Sequence, residues 1–495
     1  MGFIKRLGSD TAIYGLSSII GRFLNYLLVP LYTAKIAAAS GGYGIITNVY
    51  AYTALLLVIL TYGMETTLFR YINKENEDPD KVYTTILTSV GTTALLFVAL
   101  VLGGLGWIAP AMGYAEHPEY IGVMAVVVAL DAFQAIPFSY LRAQKRPIKF
   151  ATLKLLFIFM NIGLNLLYFV VLPDLYPGHE DTVGLIYDPK VGVGYAFFLN
   201  LVCTGLVTFG FWKELFGVKW RFDWSLLKQM LRYSWPLLVL GIAGILNQTV
   251  DKILFPYIYP GADAQAQLGI YGAAVKIAMI MALITQAFRY AYEPLVFDKG
   301  NSKNNPEIQA MGMKFFVIFT LVAFLAVMAG IDVLKHIIGR DYWAGLVVVP
   351  IVMVAEMMMG VYFNLSFWYK LTDRTIWGAV ISGIGCLMLL IVNILFVPRY
   401  GYIACAWGGV AGYGTAMVVS YLLGQHYMPI KYPVKELAGY TAATAVLYAI
   451  GALVPIESEL WATVFRSILC LVFLGFVIKH EGIYDKLAAR FLRRK

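Results

Sequence analysis

The stretch LNQTVDKILF, residues 246–255, carries Asn247, Gln248, Asp251 and Lys252 inside an otherwise apolar run. On a helix Asn247 and Asp251 are i,i+4 neighbours, as are Gln248 and Lys252, so the four make one broad polar stripe over two adjacent faces. Counted from Pro236, Asp251 lies ~22 Å along such a helix. A charged side chain at that depth costs roughly 2.5–3.5 kcal/mol to insert, so the stripe is expected to meet either an ion-pair partner or a solvated cavity. Polar groups recur in three other apolar runs. DTAIYGLSSIIGRFLNYLLVPLYTAK (10–35) holds Arg22, Asn25 and Lys35; TYGMETTLFRY (61–71) holds Glu65 and Arg70; the run at 269–291 holds Lys276, Gln286 and Arg289. Taken together they predict a cavity biased towards cations: Arg22, Lys35, Arg70, Lys252, Lys276 and Arg289 against Glu65 and Asp251. Low-dielectric walls strengthen the pull of such a pocket on an anion, and the planar arginine fork suits a phosphate. The six bases are the candidate substrate-binding residues. Glu65, Asp251, Asn25, Asn247 and Gln248 are read as orienting those bases or as exchanging a proton or Na⁺.

The elements that position these groups are membrane helices. Of 495 residues 60% are hydrophobic and 14% charged, where a soluble globular chain carries roughly 25% charged residues. Apolar runs of about 20 residues, each long enough for a ~30 Å hydrocarbon core, recur along nearly the whole length. About fourteen spans are expected, the first over 11–36, the sixth over 191–212 and the last two within 438–478. The expected fold class is therefore an all-α polytopic membrane protein. Placing the N-terminus inside leaves Lys190, Lys335, Arg340 and Arg399 as nearly all the basic residues outside, which predicts cytoplasmic N and C termini. The net charge of +9 follows from this bias and not from a nucleic-acid groove.

The first span is too long and too polar for a signal-peptide core and is expected to remain in the mature protein. Near the middle of the chain, DWSLLKQMLRYSW sets Trp224, Leu227, Met230 and Leu231 on one side and Lys228 and Arg232 on another, which predicts an amphipathic helix on the inner surface. The expected organisation is 1–215 as a first lobe of six helices, 216–235 as this linker, 236–425 as a second lobe of six, and 426–495 as two further helices with a basic tail. YGIITNVYAYTALLLVILTYG (43–63) and LGIYGAAVKIAMIMALITQAF (268–288) echo one another weakly, as the second spans of two parallel repeats would.

Other residues suggest less. Cys203, Cys386, Cys405 and Cys470 all fall in apolar spans, and neither they nor the five histidines have metal-ligand spacing. Lys154 is near enough to the inner surface to snorkel. Asp131 and Glu356 read as proton-relay groups or as satisfied helix contacts, with the second favoured. NQT (247–249) and NLS (364–366) lie within spans, and GGVAGYG (408–414) follows no strand, so neither a glycan acceptor nor a phosphate loop is expected. No nucleophile–base constellation, metal or cofactor is expected.

Several segments resemble the polysaccharide (O-antigen, Wzx-type) flippase family of the multidrug/oligosaccharidyl-lipid/polysaccharide (MOP) exporter superfamily. They are YGLSSIIGRFLNYLLVPLYT (14–33), YGMETTLFRY (62–71), FSYLRAQKRPIKFA (138–151), LLKQMLRYSWPLLVLGIAGILNQTVDKILF (226–255) and LGIYGAAVKIAMIMALITQAFRYAYEPLVF (268–297). The resemblance implies a non-enzymatic transporter of the bacterial cytoplasmic membrane, with two six-helix lobes opening alternately to each side. Its substrate would be an undecaprenyl-diphosphate-linked oligosaccharide for lipopolysaccharide or other surface glycans, with membrane lipid and a polysaccharide polymerase as partners. The positions matching the family's charged cavity are Arg22, Glu65, Arg70, Asp251, Lys252, Lys276 and Arg289. The acidic outer loop at 173–190 has no place in the family's pattern.

Three rivals compete. A MATE-like exporter of organic cations would favour a carboxylate-dominated cavity, and a MurJ-like flippase of lipid II would share the cationic one. A membrane-embedded glycan polymerase needs a positioned acid or base, for which only His179, Glu180 and Asp181 on one short outer loop are candidates.

Overall fold

The computed structural model describes residues 26–74, 77–297, 305–372 and 374–482. It is helical, with no strand among the described residues. Among the described residues, twelve helices are long and apolar enough to cross a membrane, and a further apolar helix, Gly194–Phe209, is shorter. The protein is a multi-pass integral membrane protein. Most of the first expected span, with Arg22 and Asn25, lies outside the described residues.

Two compact units divide the chain, Met1–Gly272 and Ala273–Lys495. The first contains α1 (Leu28–Lys35), α2 (Gly42–Thr61), α3 (Met64–Ile72), α4 (Pro79–Gly103), α5 (Pro118–Ala143), α6 (Pro147–Leu166), α7 (Gly194–Phe209) and α8 (Trp224–Ile258). The boundary falls inside α9 (Ala264–Ala278). Helices α4, α5 and α6 each begin with proline at the first turn, where the missing N–H has no helical acceptor to lose.

The second span is broken. Tyr62 and Gly63 both take left-handed backbone angles, φ 33° and 74°, and separate α2 from α3. A Cβ on Gly63 would lie 2.9 Å from the Leu237 Cβ on α8, so the break is also a close approach that only glycine permits. Below it, Met64, Leu68, Val82, Ile86, Val90, Ile136 and Met230 form a buried core joining α3, α4, α5 and α8.

The inner-surface helix expected over 216–235 is not a separate element. Helix starts at Trp224 and continues unbroken through Pro236 for 35 residues to Ile258. Asp223 caps it, accepting from the Ser225 and Leu226 amides at 2.9 and 3.0 Å and pairing with Lys81 at 2.6 Å. Pro236 lies inside this helix, a placement that membrane helices tolerate because neighbouring groups satisfy the freed carbonyl.

The second unit contains α10 (Ile280–Phe297), α11 (Asn305–Ala329), α12 (Val349–Leu365), α13 (Ile376–Tyr400), α14 (Tyr402–Tyr427), α15 (Val434–Leu453) and α16 (Glu459–His480). α13 and α14 close tightly at Gly412, whose Cβ would lie 2.9 Å from the Gly385 carbonyl oxygen.

Candidate functional site

In the first unit, Asp251 is buried at 6% exposure. Its Oδ1 lies 3.0 Å from the Lys252 ammonium, and its Oδ2 accepts a 2.7 Å hydrogen bond from the Tyr271 hydroxyl on α9. Lys252 also donates to the Gln248 carbonyl at 2.8 Å, and its ammonium sits 5.5 Å from the centre of the Tyr271 ring. Asn48 of α2 donates to the Lys252 carbonyl at 2.7 Å and accepts from Tyr114 at 2.7 Å. These bonds give the acid–base pair the character of a structural ion pair whose charges largely cancel in place. Asn247 is buried and donates back to the Ala243 carbonyl, whereas Gln248 is exposed. The stripe is therefore split: its two faces have different surroundings.

Glu65 and Arg70 lie at the other end of the unit. Contact with Asn48 sets Lys252 level with the first part of α2, and Glu65 follows Asn48 by 17 residues, on α3 beyond the break at Tyr62 and Gly63. Glu65 meets Arg142 at 3.2 Å and accepts from Ser139 at 3.2 Å. Arg142 is the second residue of the LRAQKR segment (141–146). Arg146, its last residue, lies 3.2 Å from Glu214, a carboxylate 2% exposed that Lys149 also engages. This loop thus clamps two carboxylates and gives the motif a physical reason. Arg70 is exposed and lies over the Tyr233 ring of α8, 4.1 Å from its centre, with no carboxylate partner among the described residues. Lys35 is exposed at the end of α1.

In the second unit Lys276 and Gln286 are half-buried on α9 and α10. Arg289 pairs with Glu293 at 2.8 Å, and Lys370 approaches the same carboxylate at 3.7 Å. Glu293 was missed by sequence reasoning, although its position four residues after Arg289 was the signal for it. Tyr271 and Asn48, the partners that fix Asp251 and the Lys252 backbone, gave no such signal, because both contacts join residues distant in sequence.

No curated protein matches the chain. A family model described as "Polysaccharide biosynthesis protein" matches residues 7–291, more than half of it. The chain belongs to this polysaccharide biosynthesis protein family. Among solved structures, it is similar to the lipid II flippase MurJ in an inward closed conformation, at 14% identity and a TM-score of 0.71 over 94% of this chain and 99% of that one. An inward-facing multidrug resistance MATE family transporter of the MOP superfamily matches at 15% identity and a TM-score of 0.63, covering 86% of this chain and 97% of its own. A Pyrococcus furiosus MOP superfamily transporter, described as having a binding pocket of reversed polarity, matches at 15% identity and a TM-score of 0.52 over 84% and 95%. At these identities the likeness shows the fold: this family member has the architecture of MOP transporters.

Proposed function

We propose that the protein is a flippase that turns an undecaprenyl-diphosphate-linked oligosaccharide from the inner to the outer leaflet of the bacterial cytoplasmic membrane by alternating access. The observation that carries this reading is the contrast between the acids and Arg70. Glu65 and Asp251 are both engaged by bases, whereas Arg70 presents an exposed guanidinium on Tyr233 with no acid beside it among the described residues. The uncompensated charge left for a substrate is cationic, which suits a diphosphate. Arg22, Lys35, Lys276 and Arg289 complete the proposed anion-handling set, with Asn25, Asn247, Gln248, Glu65 and Asp251 as their orienting groups. The second unit also holds an apolar cavity of about 820 Å³ between α11, α12, α14 and α15, lined by residues such as Val317, Phe324, Met358 and Leu437, which offers room for a hydrocarbon chain. Movement is driven by a proton or Na⁺ gradient, and the product is handed to a polysaccharide polymerase.

The test is equilibrium binding of a short-chain polyprenyl-diphosphate oligosaccharide to the purified full chain, against the same glycolipid without its diphosphate. Diphosphate-dependent binding that weakens in Arg70→Ala and Arg22→Ala supports the reading. Saturable binding of organic cations alone would replace it with drug export, and preference for a lipid II analogue would move it to peptidoglycan precursors.

A further inference from the structure

The second unit holds a further cavity of about 360 Å³, walled by the end of α11, the segment after it, the start of α12, α15 and α16. Unlike the apolar cavity it has charge in its lining: Asp332, Lys335 and Arg466. The two adjoin, because Val347, Pro350 and Tyr448 line both. One face of α15 runs along the pair, with Val434, Leu437, Thr441, Thr444 and Tyr448 on the apolar cavity and Tyr448 and Gly451 on the charged one. Val434 to Gly451 is 17 residues, ~26 Å of helix against a hydrocarbon core of ~30 Å. The joint volume is therefore long, apolar along most of its length and charged at one end.

The charged end is specific. Arg466 lies seven residues after Glu459, ~10 Å into α16. Its Nη1 donates to Asp332 at 2.6 Å and its Nε to the Gly451 carbonyl at 3.0 Å, which uses two of the five N–H groups of a guanidinium. Lys335, 8% exposed, reaches Asp332 at 3.4 Å and Glu459 at 2.8 Å. Its ammonium lies 4.7 Å from the centre of the Trp343 ring, and the indole N–H donates to the Lys335 carbonyl at 2.9 Å, which fixes the lysine in place. The lining thus sets two cations against one carboxylate. The second acid, Glu459, is exposed and outside the lining, as are His336 and Arg340. Further along, Thr444 is 3% exposed and lines the apolar cavity, yet its hydroxyl has no hydrogen-bonding partner among the described residues. A buried hydroxyl left so is costly unless a ligand satisfies it.

We propose that this joint volume is a binding site for one phospholipid with an amine-bearing, zwitterionic headgroup of the phosphoethanolamine class. The phosphate carries one negative charge and takes up the single excess cation of Arg466, Lys335 and Asp332. The headgroup ammonium reaches outward to Glu459. Thr444 donates to an ester carbonyl, and an acyl chain lies along the α15 face beside Phe324 and Tyr448. A diphosphate fits this end poorly, since it brings more negative charge than the lining can balance and leaves Glu459 repelling it. A phospholipid chain spans about half of the core, so the Val434 end stays open to another chain. The site stands independently of the flippase reading.

The test titrates the delipidated, detergent-purified full chain with phosphatidylethanolamine and, separately, with phosphatidylglycerol, counting bound lipid by native mass spectrometry. We expect one phosphatidylethanolamine held about fivefold or more better than phosphatidylglycerol. Glu459→Gln should abolish that preference while both lipids still bind. Arg466→Gln should weaken both, as should Ala445→Trp, which fills the path of the chain without touching a charge. Equal affinity for the two lipids in the parent, or a preference that survives Glu459→Gln, overturns the proposal. So does displacement of bound phosphatidylethanolamine by a polyprenyl-diphosphate oligosaccharide, which would give the site to the transported lipid. Should Arg466→Gln fail to fold, Glu459→Gln decides, because that side chain is exposed. A chain that holds the phospholipid and no glycolipid would strike only the flippase reading.

Discussion

Tyr271 donates a 2.7 Å hydrogen bond to Asp251, from the helix that follows α8 in the chain to the acid that the sequence placed at membrane depth. With Lys252 on the other oxygen, the carboxylate has a neutral donor and a cation, the two partners that make burial of a charge tolerable. Removing the hydroxyl in Tyr271→Phe leaves one side of a buried anion unsatisfied, at about 1–3 kcal/mol. Lys252→Met strands the acid and is expected to lower thermal stability further. The double variant Asp251→Asn/Lys252→Gln should recover part of that loss, because no uncompensated charge then remains. Thermal unfolding of the detergent-purified chain checks the order. If the double variant also keeps full transport, Asp251 and Lys252 have no part in handling substrate.

Gly44 crosses α9 so closely that a Cβ there would lie 1.8 Å from the Gln265 carbonyl oxygen. Gly44→Ala should destabilise by about 1–3 kcal/mol through forced separation of the two backbones. Gly205→Ala, with nothing within 4 Å of the new methyl, should leave stability unchanged or slightly raised. Melting temperatures of the two variants measured side by side decide it.

Glu214 is 2% exposed and is held by Arg146 and Lys149. Glu214→Ala removes the buried acid that both bases share and should cost about 1–3 kcal/mol. Arg146, being half exposed, should cost far less when replaced. Folded yield and chemical stability of the two variants are the comparison.

Asp223 caps the start of α8, and Lys81 followed by Ser225 and the Leu226 amide holds its carboxyl below the ordinary range. A depressed folded pKa contributes stability that is present above the unfolded value, ~3.9, and lost as pH falls through the folded one. The wild type should therefore lose stability on acidification below about pH 4. Asp223→Asn should start lower and show a shallower fall in that window, by melting temperature against pH.

Arg70 is the exposed guanidinium on which the anion reading turns. Arg70→Ala should weaken diphosphate-lipid binding roughly tenfold, about 1.4 kcal/mol, with Arg70→Lys between it and the parent. Equal affinity in all three would remove Arg70 from the substrate path.

The membrane class, the succession of apolar helices and the family were legible from the chain itself, because each depends on composition or on order along it. An apolar run of about 20 residues has few alternatives to a span, whatever surrounds it. The depth of Asp251 was legible for the same reason, since rise per residue is fixed within a helix. What those charges face was not. Asp251 finds Tyr271 20 residues away, Lys252 is touched by Asn48 across 204, and Glu65 meets Arg142 across 77. One residue step on a helix, about 100° of rotation, separates faces with different surroundings, so the stripe read as a single surface resolves into buried Asn247 and Asp251 and exposed Gln248. Asp131 and Lys154 carry the same lesson in the other direction. Their residue types were plain in the sequence, but only the tertiary structure shows that neither has a hydrogen-bonding partner among the described residues, because partnership between membrane helices is set by which side chains the fold brings within a few ångströms.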